Sequence, residues 1–490
     1  MDATERHLIP HGCPRVVDGE HHVREMGMQA ARRDNQPMPR IVLHNALVIT
    51  MDPTRRVLPD HTVITKGDRI MEIVPSARYT QKEGDEIYNA RGKYVLPGLI
   101  NSHVHTVQHL GRGLADDVDI LTWLHQRIWP YESNLEPEDS YINTMHCGLE
   151  QLANGVTTVA DAGIHHAEPT VRAIKELGIR AALCFSIMDH GDGLPKNWQI
   201  GTDECMRKQI EAYDKYHGAL GGKLRWWFGL RTILNNSDPL IKKTIKAAKE
   251  RDTWVHMHVA EASEEIDYCK ATRGTTTVRQ LKKLGLLGPK FLAVHCVYLD
   301  EEEMDLFQKH DVKVSHNPAA ALRVMGLPKI VELLNKGVNV SIGTDGAPSN
   351  CRNALIDEMY LAAVMQKGRL HDPSVMPATK VLEMVTIDAA RTIGLENEIG
   401  SIEVGKKADL AVVDPFTAAM LPVHDPISNL VFSAKPDNIE STLAGGKWVY
   451  YKRRYPHLDA KGILRESQKR ADAVRLRAKI QLPKRFNWSE

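Results

Sequence analysis

From Ile41 onward, apolar and polar side chains alternate in short runs, IVLHNALVITMD, HTVITKGDRIMEIV and YNARGKYVLPG, separated by charged turns that contain Gly67-Asp68 and Gly84-Asp85. Period-two alternation bounded by such turns predicts β-strands with one buried face. The same texture returns near the other end, in GSIEVGKKADLAVVD (400–414) and NIESTLAGGKWVYYKRR (438–454). Strands from both ends are therefore expected to close one sheet, in a small β-sandwich domain made of residues 39–97 and 398–454.

Between these flanks the period changes. Tyr141, Met145, Leu149 and Leu152 lie four, four and three apart on one helical face, Gly155 then stops the helix, and VTTVAD begins a strand. The unit recurs, giving eight strand candidates at 99–105, 156–161, 179–188, 224–231, 254–260, 291–296, 312–316 and 338–345. Each gap between them has room for a helix, PLIKKTIKAAKER and LPKIVELLNKG among them. Eight β/α units predict an α/β fold, a (β/α)8 TIM-like barrel over residues 98–397. No GxGxxG opens any of these helices, which argues against a nucleotide-binding open sheet. Residues 1–38, charged and without apolar period, are expected to form a flexible extension, and residues 455–490 a helical tail packed on its own domain.

Composition narrows the function classes. The chain has 490 residues, 42% hydrophobic and 26% charged, with a net charge of +1. So even a balance gives no electrostatic case for nucleic acid or a membrane surface as partner. The N-terminal stretch lacks the apolar core of a secretory signal, and no uninterrupted apolar run is long enough to span a bilayer. Seven scattered cysteines without CxxC spacing point to a reducing, cytoplasmic compartment.

The candidate chemistry sits at strand ends. In VLPGLINSHVH, His103 and His105 share a face by the period-two rule. His256 and His258 repeat the pattern in WVHMHVA, and His295, His316 and Asp345 fall at the ends of the sixth, seventh and eighth predicted strands. In a barrel those ends form one face, so four of these groups could supply a divalent metal with nitrogen and oxygen ligands and leave a position for water. Spacing alone does not separate His256 from His258. Position favours His258, which is nearer the strand end and three residues before Glu261, where the chain can turn a carboxylate over the site. His256 is then a buried, hydrogen-bonded supporting residue.

Taken together, PGLINSHVHT, RGLADDVDILTWLHQRIWPYES, VHMHVAE, AVHCVYL, VSHNPAA, GTDGAPSN and GSIEVGKKADLAVVD resemble the amidohydrolase superfamily. The resemblance runs from about Ile41 to Trp448, and within the superfamily it is to the mononuclear aminohydrolase branch of methylthioadenosine/S-adenosylhomocysteine deaminases and triazine hydrolases. It implies His103, His105, His258 and Asp345 as metal ligands, Glu261 as proton shuttle, His295 as a polar group beside the attacking water and Asp345 as acceptor of that water's proton. No lysine stands at a strand end where binuclear relatives carry a carboxylated one, so a single divalent ion is expected, zinc first, with iron or manganese also compatible with the ligand types. The implied reaction is hydrolytic release of ammonia from a nitrogen heterocycle, by a homo-oligomer (dimer or tetramer).

The substrate clue is RIWPYES. In the nucleoside deaminases it resembles, the carboxylate at the position of Glu132 accepts hydrogen bonds from ribose hydroxyls. Trp123 and Trp129 are candidates to stack on a heteroaromatic ring. One departure stands out: where those deaminases carry a HAPYT-like run after the fourth strand, this chain reads FGLRTILNNSD. Arg231 is therefore expected either to meet an anionic or carbonyl-bearing substrate or to pair with an acid of the barrel. His316 is expected to support Asp345 or to face the substrate. A purine nucleoside of the methylthioadenosine, S-adenosylhomocysteine or adenosine type, or a related purine or pterin, is the favoured substrate. Displacement of chloride or an alkylamine from an s-triazine is the alternative, and a non-catalytic oligomeric scaffold the remote one.

Overall fold

The computed structural model describes residues 40–482, so the N-terminal extension expected at 1–38 lies outside the described residues. Five strands open the described chain: β1 (Arg40–Ile49), β2 (Val57–Lys66), β3 (Arg69–Pro75), β4 (Asp85–Asn89) and β5 (Tyr94–Pro97). Three more lie near its end, β15 (Leu410–Val413), β16 (Ile439–Ala444) and β17 (Lys447–Tyr450). All eight belong to one mixed sheet, in the order β17-β16-β15-β5-β1-β2-β3, with β4 paired to β1. The two ends of the chain meet at β5 and β15, where Val95 pairs with Val412 and Leu96 with Ala411.

Alternation along these two strands does two jobs. Val95, Leu410 and Val412 point into the sheet's own apolar cluster, whereas Tyr94, Leu96, Ala411 and Val413 join the main core of the molecule. The Pro97-Gly98 break that follows is a close approach of backbone to side chain. A Cβ on Gly98 would lie 2.3 Å from Thr157 Oγ1, so only glycine lets the chain pass from β5 into the next strand at this place.

The central segment forms parallel strands with helices between them. β6 (Leu99–Val104), β7 (Val156–Ile164), β8 (Arg180–Phe185) and β9 (Leu224–Trp226) make one parallel sheet. β10 (Phe228–Leu230), β11 (Val255–Val259), β12 (Phe291–His295), β13 (Lys313–His316) and β14 (Val340–Ile342) make another. Each of the eight runs expected from the sequence overlaps one or more of these strands, and β7 runs three residues beyond the expected 156–161. The fourth is divided at Trp227, whose N–H donates to Leu183 O at 2.9 Å while Phe228 N–H donates to Trp254 O at 3.0 Å. The backbone thus changes partner from β8 to β11 within a single run. On the opposite edge, Val104 and Asp345 form a parallel bridge that links β6 to the end of β14. These strands are buried on both faces, as expected for parallel strands covered by helices, and this explains their nearly unbroken apolar text.

The C-terminal basic segment is a helix, Ala460–Arg477, whose Arg470 and Arg477 both reach the fully buried Asp139 on the helix Pro137–Ala153. Two of its cations are thus used within the molecule. Among the described residues no helix is long and apolar enough to cross a membrane, and the six described cysteines are free.

One buried ion pair fastens the mixed sheet to the parallel one: Arg180 Nε, at the start of β8, lies 2.6 Å from Asp409 Oδ2, just before β15, with side-chain exposures of 5% and 2%. Removing one member of such a pair leaves the other charge uncompensated. Arg180→Met is therefore expected to cost about 3 kcal/mol of unfolding free energy in urea denaturation, and a loss below about 1 kcal/mol would contradict this role for the pair.

Candidate active site

The histidines of β6, β11 and β12 converge with Asp345 on one buried point. His105 Nε2 lies 3.2 Å from His258 Nε2, and Asp345 Oδ1 lies 3.4 Å from His103 Nε2 and 3.5 Å from His105 Nε2. Backbone hydrogen bonds fix these positions. The carbonyl of His103 accepts N–H bonds from both Thr344 and Asp345 at 3.0 Å, and the carbonyl of Arg231 accepts from His258 N at 3.0 Å. The turns that carry the side chains inward are left-handed at non-glycine residues, with φ of 50° at Ala260, 72° at His295 and 62° at Asp345. Such conformations cost of order 1 kcal/mol each and persist only where surrounding bonds hold them.

The donor set fits a metal ion. His258 Nδ1 lies 2.8 Å from Arg231 O, so this nitrogen donates and Nε2 keeps its lone pair. His103 Nδ1 is 3.1 Å from His256 Nε2, while His103 Nε2 is buried without a hydrogen-bond partner. Ligating nitrogens at about 2.0–2.1 Å from a tetrahedral ion stand about 3.3 Å apart, close to the separations found here. His256 touches His103 from behind and belongs to neither donor group that the geometry defines, His103-His105-His258 and His103-His295-Asp345. Burial lowers the pKa of His105 and His295 to about 3 and that of His258 well below the ordinary value, so all three rings are neutral. Burial alone would raise Asp345, but the His103 imidazole 3.4 Å away and the other neighbouring imidazoles outweigh it and hold the carboxylate well below the usual range.

Glu261 has the opposite environment. Burial first, and the charge of Glu265 second, push its pKa up to about 8, and its Oε2 lies 3.7 Å from His295 Nε2. Glu265, one helical turn further on, accepts the N–H groups of Ala260 and Glu261 at 2.9 and 3.0 Å and so fixes the left-handed turn that aims Glu261. Asn317 Nδ2 donates to His295 Nδ1 at 3.1 Å, which places the ring's own hydrogen on Nε2, toward the cleft. Neither support was singled out from the sequence, although Asn317 stands inside VSHNPAA and Glu265 follows Glu261 by four.

The cleft over this point is walled by Ile120, Trp123, Leu124, Val324 and Met325. Trp123 thus faces the site, whereas Trp129 is packed in an apolar cluster against His125. Glu132 does not line this cleft but an adjoining cavity of about 450 Å³, with His165, Ser186 and Trp198 among its walls. Arg231 reaches it from the cleft side, Nη1 to Oε2 at 2.9 Å, and Gln108 Nε2 donates to Oε1 at 2.7 Å. Of the two roles foreseen for Arg231, pairing with an acid is the contact present. Burial alone would raise Glu132, but the guanidinium and His165 hold it well below the usual carboxylate range. His316 is fully buried with both ring nitrogens unpartnered; it is not among the residues that line the cleft, and no hydrogen bond joins it to Asp345.

The raised pKa of Glu261 has a measurable sign. Between the ordinary carboxyl value of 4.5 and about 8, the folded chain holds a proton that the unfolded chain has released, so this group's stabilisation is complete below 4.5 and is lost as pH rises through about 8. In chelator-treated protein, Glu261→Gln is expected to lose less stability than wild type on going from about pH 5 to about pH 9. Equal losses in the two proteins would place the proton elsewhere.

Comparison with known proteins identifies the family. The sequence profile of the amidohydrolase family matches residues 94–449. The chain is 34% identical over 416 residues to a 5'-deoxyadenosine deaminase of Methanobrevibacter smithii, covering 84% of this chain and 94% of that protein. It is 34% identical over 390 residues to a 5-methylthioadenosine/S-adenosylhomocysteine deaminase of Desulforudis audaxviator, covering 79% and 89% of the two. A zinc-bound adenosine deaminase from Xanthomonas campestris superposes with a TM-score of 0.85 at 28% identity, covering 90% of this chain and all of that one. By its sequence over this whole span, the chain belongs to the amidohydrolase family.

Proposed function

We propose that this chain is a metal-dependent hydrolytic deaminase of purine nucleosides, acting on adenosine or on adenosine derivatives altered at the 5' position. The observation that carries this reading is the convergence of His103, His105 and His258 with Asp345 on one buried point, with Glu261, whose pKa is raised to about 8, beside it. His103, His105, His258 and Asp345 are the proposed ligands of one divalent ion, zinc before iron or manganese. When bound, that ion supplies Lewis acidity that brings the pKa of a water toward neutrality.

The chain's own residues do the rest. Asp345, ionised, takes the proton of the attacking water. Glu261 is protonated near neutral pH; it donates that proton to the ring nitrogen next to the attacked carbon, then as a carboxylate takes the remaining proton of the attacking oxygen and passes it to the departing amino group, which leaves as ammonia, and the proton held by Asp345 restores Glu261 for the next turnover. His295 presents its Nε2 hydrogen to the attacking oxygen, and Trp123 offers a flat wall for the purine. Glu132 accepts sugar hydroxyls from the adjoining cavity, a contact that an s-triazine, having no hydroxyls, would leave unused. In the same reading the two parallel sheets form one closed (β/α)8 barrel over residues 98–397, and the mixed sheet folds as a sandwich. The chain works in the cytoplasm as a homo-oligomer.

Glu261→Gln tests the central role. It is expected to bind metal as wild type does and to lower ammonia release from methylthioadenosine by about a thousandfold or more. Residual turnover within about tenfold of wild type would remove Glu261 from proton transfer.

A further inference from the structure

We propose that Arg231 is a specificity-determining residue, and that the buried Arg231-Glu132 pair, rather than a lone carboxylate, recognises the vicinal hydroxyls of the sugar. The proposal rests on the nucleoside reading above. Arg231 and Glu132 are 4% and 0% exposed and come from opposite sides, Arg231 from the end of β10 and Glu132 from the short helix Trp129–Ser133. Arg231 lines the cleft that holds His258 and Glu261, whereas Glu132 lines the neighbouring cavity. The pair is therefore the boundary between the space where the ring reacts and the space where the rest of a nucleoside would lie.

Its hydrogen bonding is unfinished in a particular way. Arg231 Nη1 makes both of the guanidinium's side-chain bonds, to Glu132 Oε2 at 2.9 Å and to Ser186 Oγ at 3.0 Å. Among the described residues, Nη2 and Nε have no partner, so donors remain available beside the carboxylate. Each Glu132 oxygen accepts one of these bonds, from Arg231 or from Gln108, and keeps a second lone-pair site. A vicinal diol is the complement of this edge, because each hydroxyl donates one hydrogen to the carboxylate and can accept one from the guanidinium. A ligand lacking one hydroxyl would leave buried, charged groups desolvated and unpaired, which is the situation that discriminates most strongly. Because the pair is neutral overall, it selects for hydroxyls rather than for an anionic substrate.

The geometry also says why the fork matters. A lysine at 231 could neutralise Glu132 as a point charge but could not hold Ser186 and Glu132 together while offering further planar donors. The test compares ammonia release from adenosine, 2'-deoxyadenosine, 3'-deoxyadenosine and adenine by wild type, Arg231→Lys and Ser186→Ala. Calorimetric binding of inosine and 2'-deoxyinosine, which requires no turnover, accompanies it, and melting curves confirm that each variant is folded. Wild type is expected to prefer adenosine to each deoxynucleoside by about a hundredfold or more in kcat/KM, and Arg231→Lys to shrink that preference to below about tenfold while affecting adenine least. Ser186→Ala, which keeps the ion pair but loosens the guanidinium, is expected to move the ratio the same way by less. Parallel losses on all four substrates, with the ribose preference and the inosine-to-deoxyinosine binding ratio unchanged, would overturn the role of Arg231 alone. Wild-type turnover of adenine but of no nucleoside would overturn the nucleoside reading, and the sugar-recognising pair with it.

Discussion

The rest of the structure depends on how backbone hydrogen bonds hold the ends of parallel strands against one another. His103 accepts the N–H groups of Thr344 and Asp345 through its carbonyl, and His258 is held through both its backbone N–H and its ring Nδ1 by the carbonyl of Arg231. Two of the proposed ligand positions are thus tied to one another, and a third is tied to Arg231. Side chains would otherwise avoid such a density of buried polar atoms, since taking them out of water is costly. The register of the strands leaves them no alternative, and the site is accordingly preorganised.

Behind the ligands, carboxylates and amides do the positioning. Glu265 holds the turn of Glu261 and, after burial, is the next cause of its raised pKa, so one residue acts on both the direction and the proton affinity of Glu261. Glu358 accepts from Ala319 N at 2.9 Å and from Asn350 Nδ2 at 2.8 Å, joining the loop after His316 to the segment after Asp345. These supports lie on helices that follow or pack against the strands, which makes the helical layer part of the site's rigidity as well as its cover.

Much of this was legible in the sequence because period two is a geometric rule. His103 with His105 and His256 with His258 could be placed on common faces without coordinates, and Glu261 followed from its position just past the strand. The parts that were not legible are those that depend on approach between distant elements. Nothing local connects Glu132 to Arg231, Gln108 or Ser186, and the pairing appears only once the helix Trp129–Ser133 meets the segments that follow β6, β8 and β10. Strand limits were also read too long at 179–188 and 338–345, where the structure places β8 at Arg180–Phe185 and β14 at Val340–Ile342. The eighth strand stops before Gly343, and the left-handed residue of the turn that follows is Asp345 rather than either flanking glycine, which local sequence does not disclose. The break at Trp227 is similar: WWF reads as continuous strand, but the backbone changes partner between Trp227 and Phe228.

The account stands on one divalent ion held by three imidazoles and a carboxylate, and X-ray absorption at the K edge of the metal that co-purifies with the full chain tests it most directly. The predicted spectrum has a first shell of nitrogen and oxygen alone at about 2.0–2.1 Å, imidazole multiple scattering, and no metal neighbour. Sulfur at about 2.3 Å, or a second metal at about 3.5 Å, would contradict it.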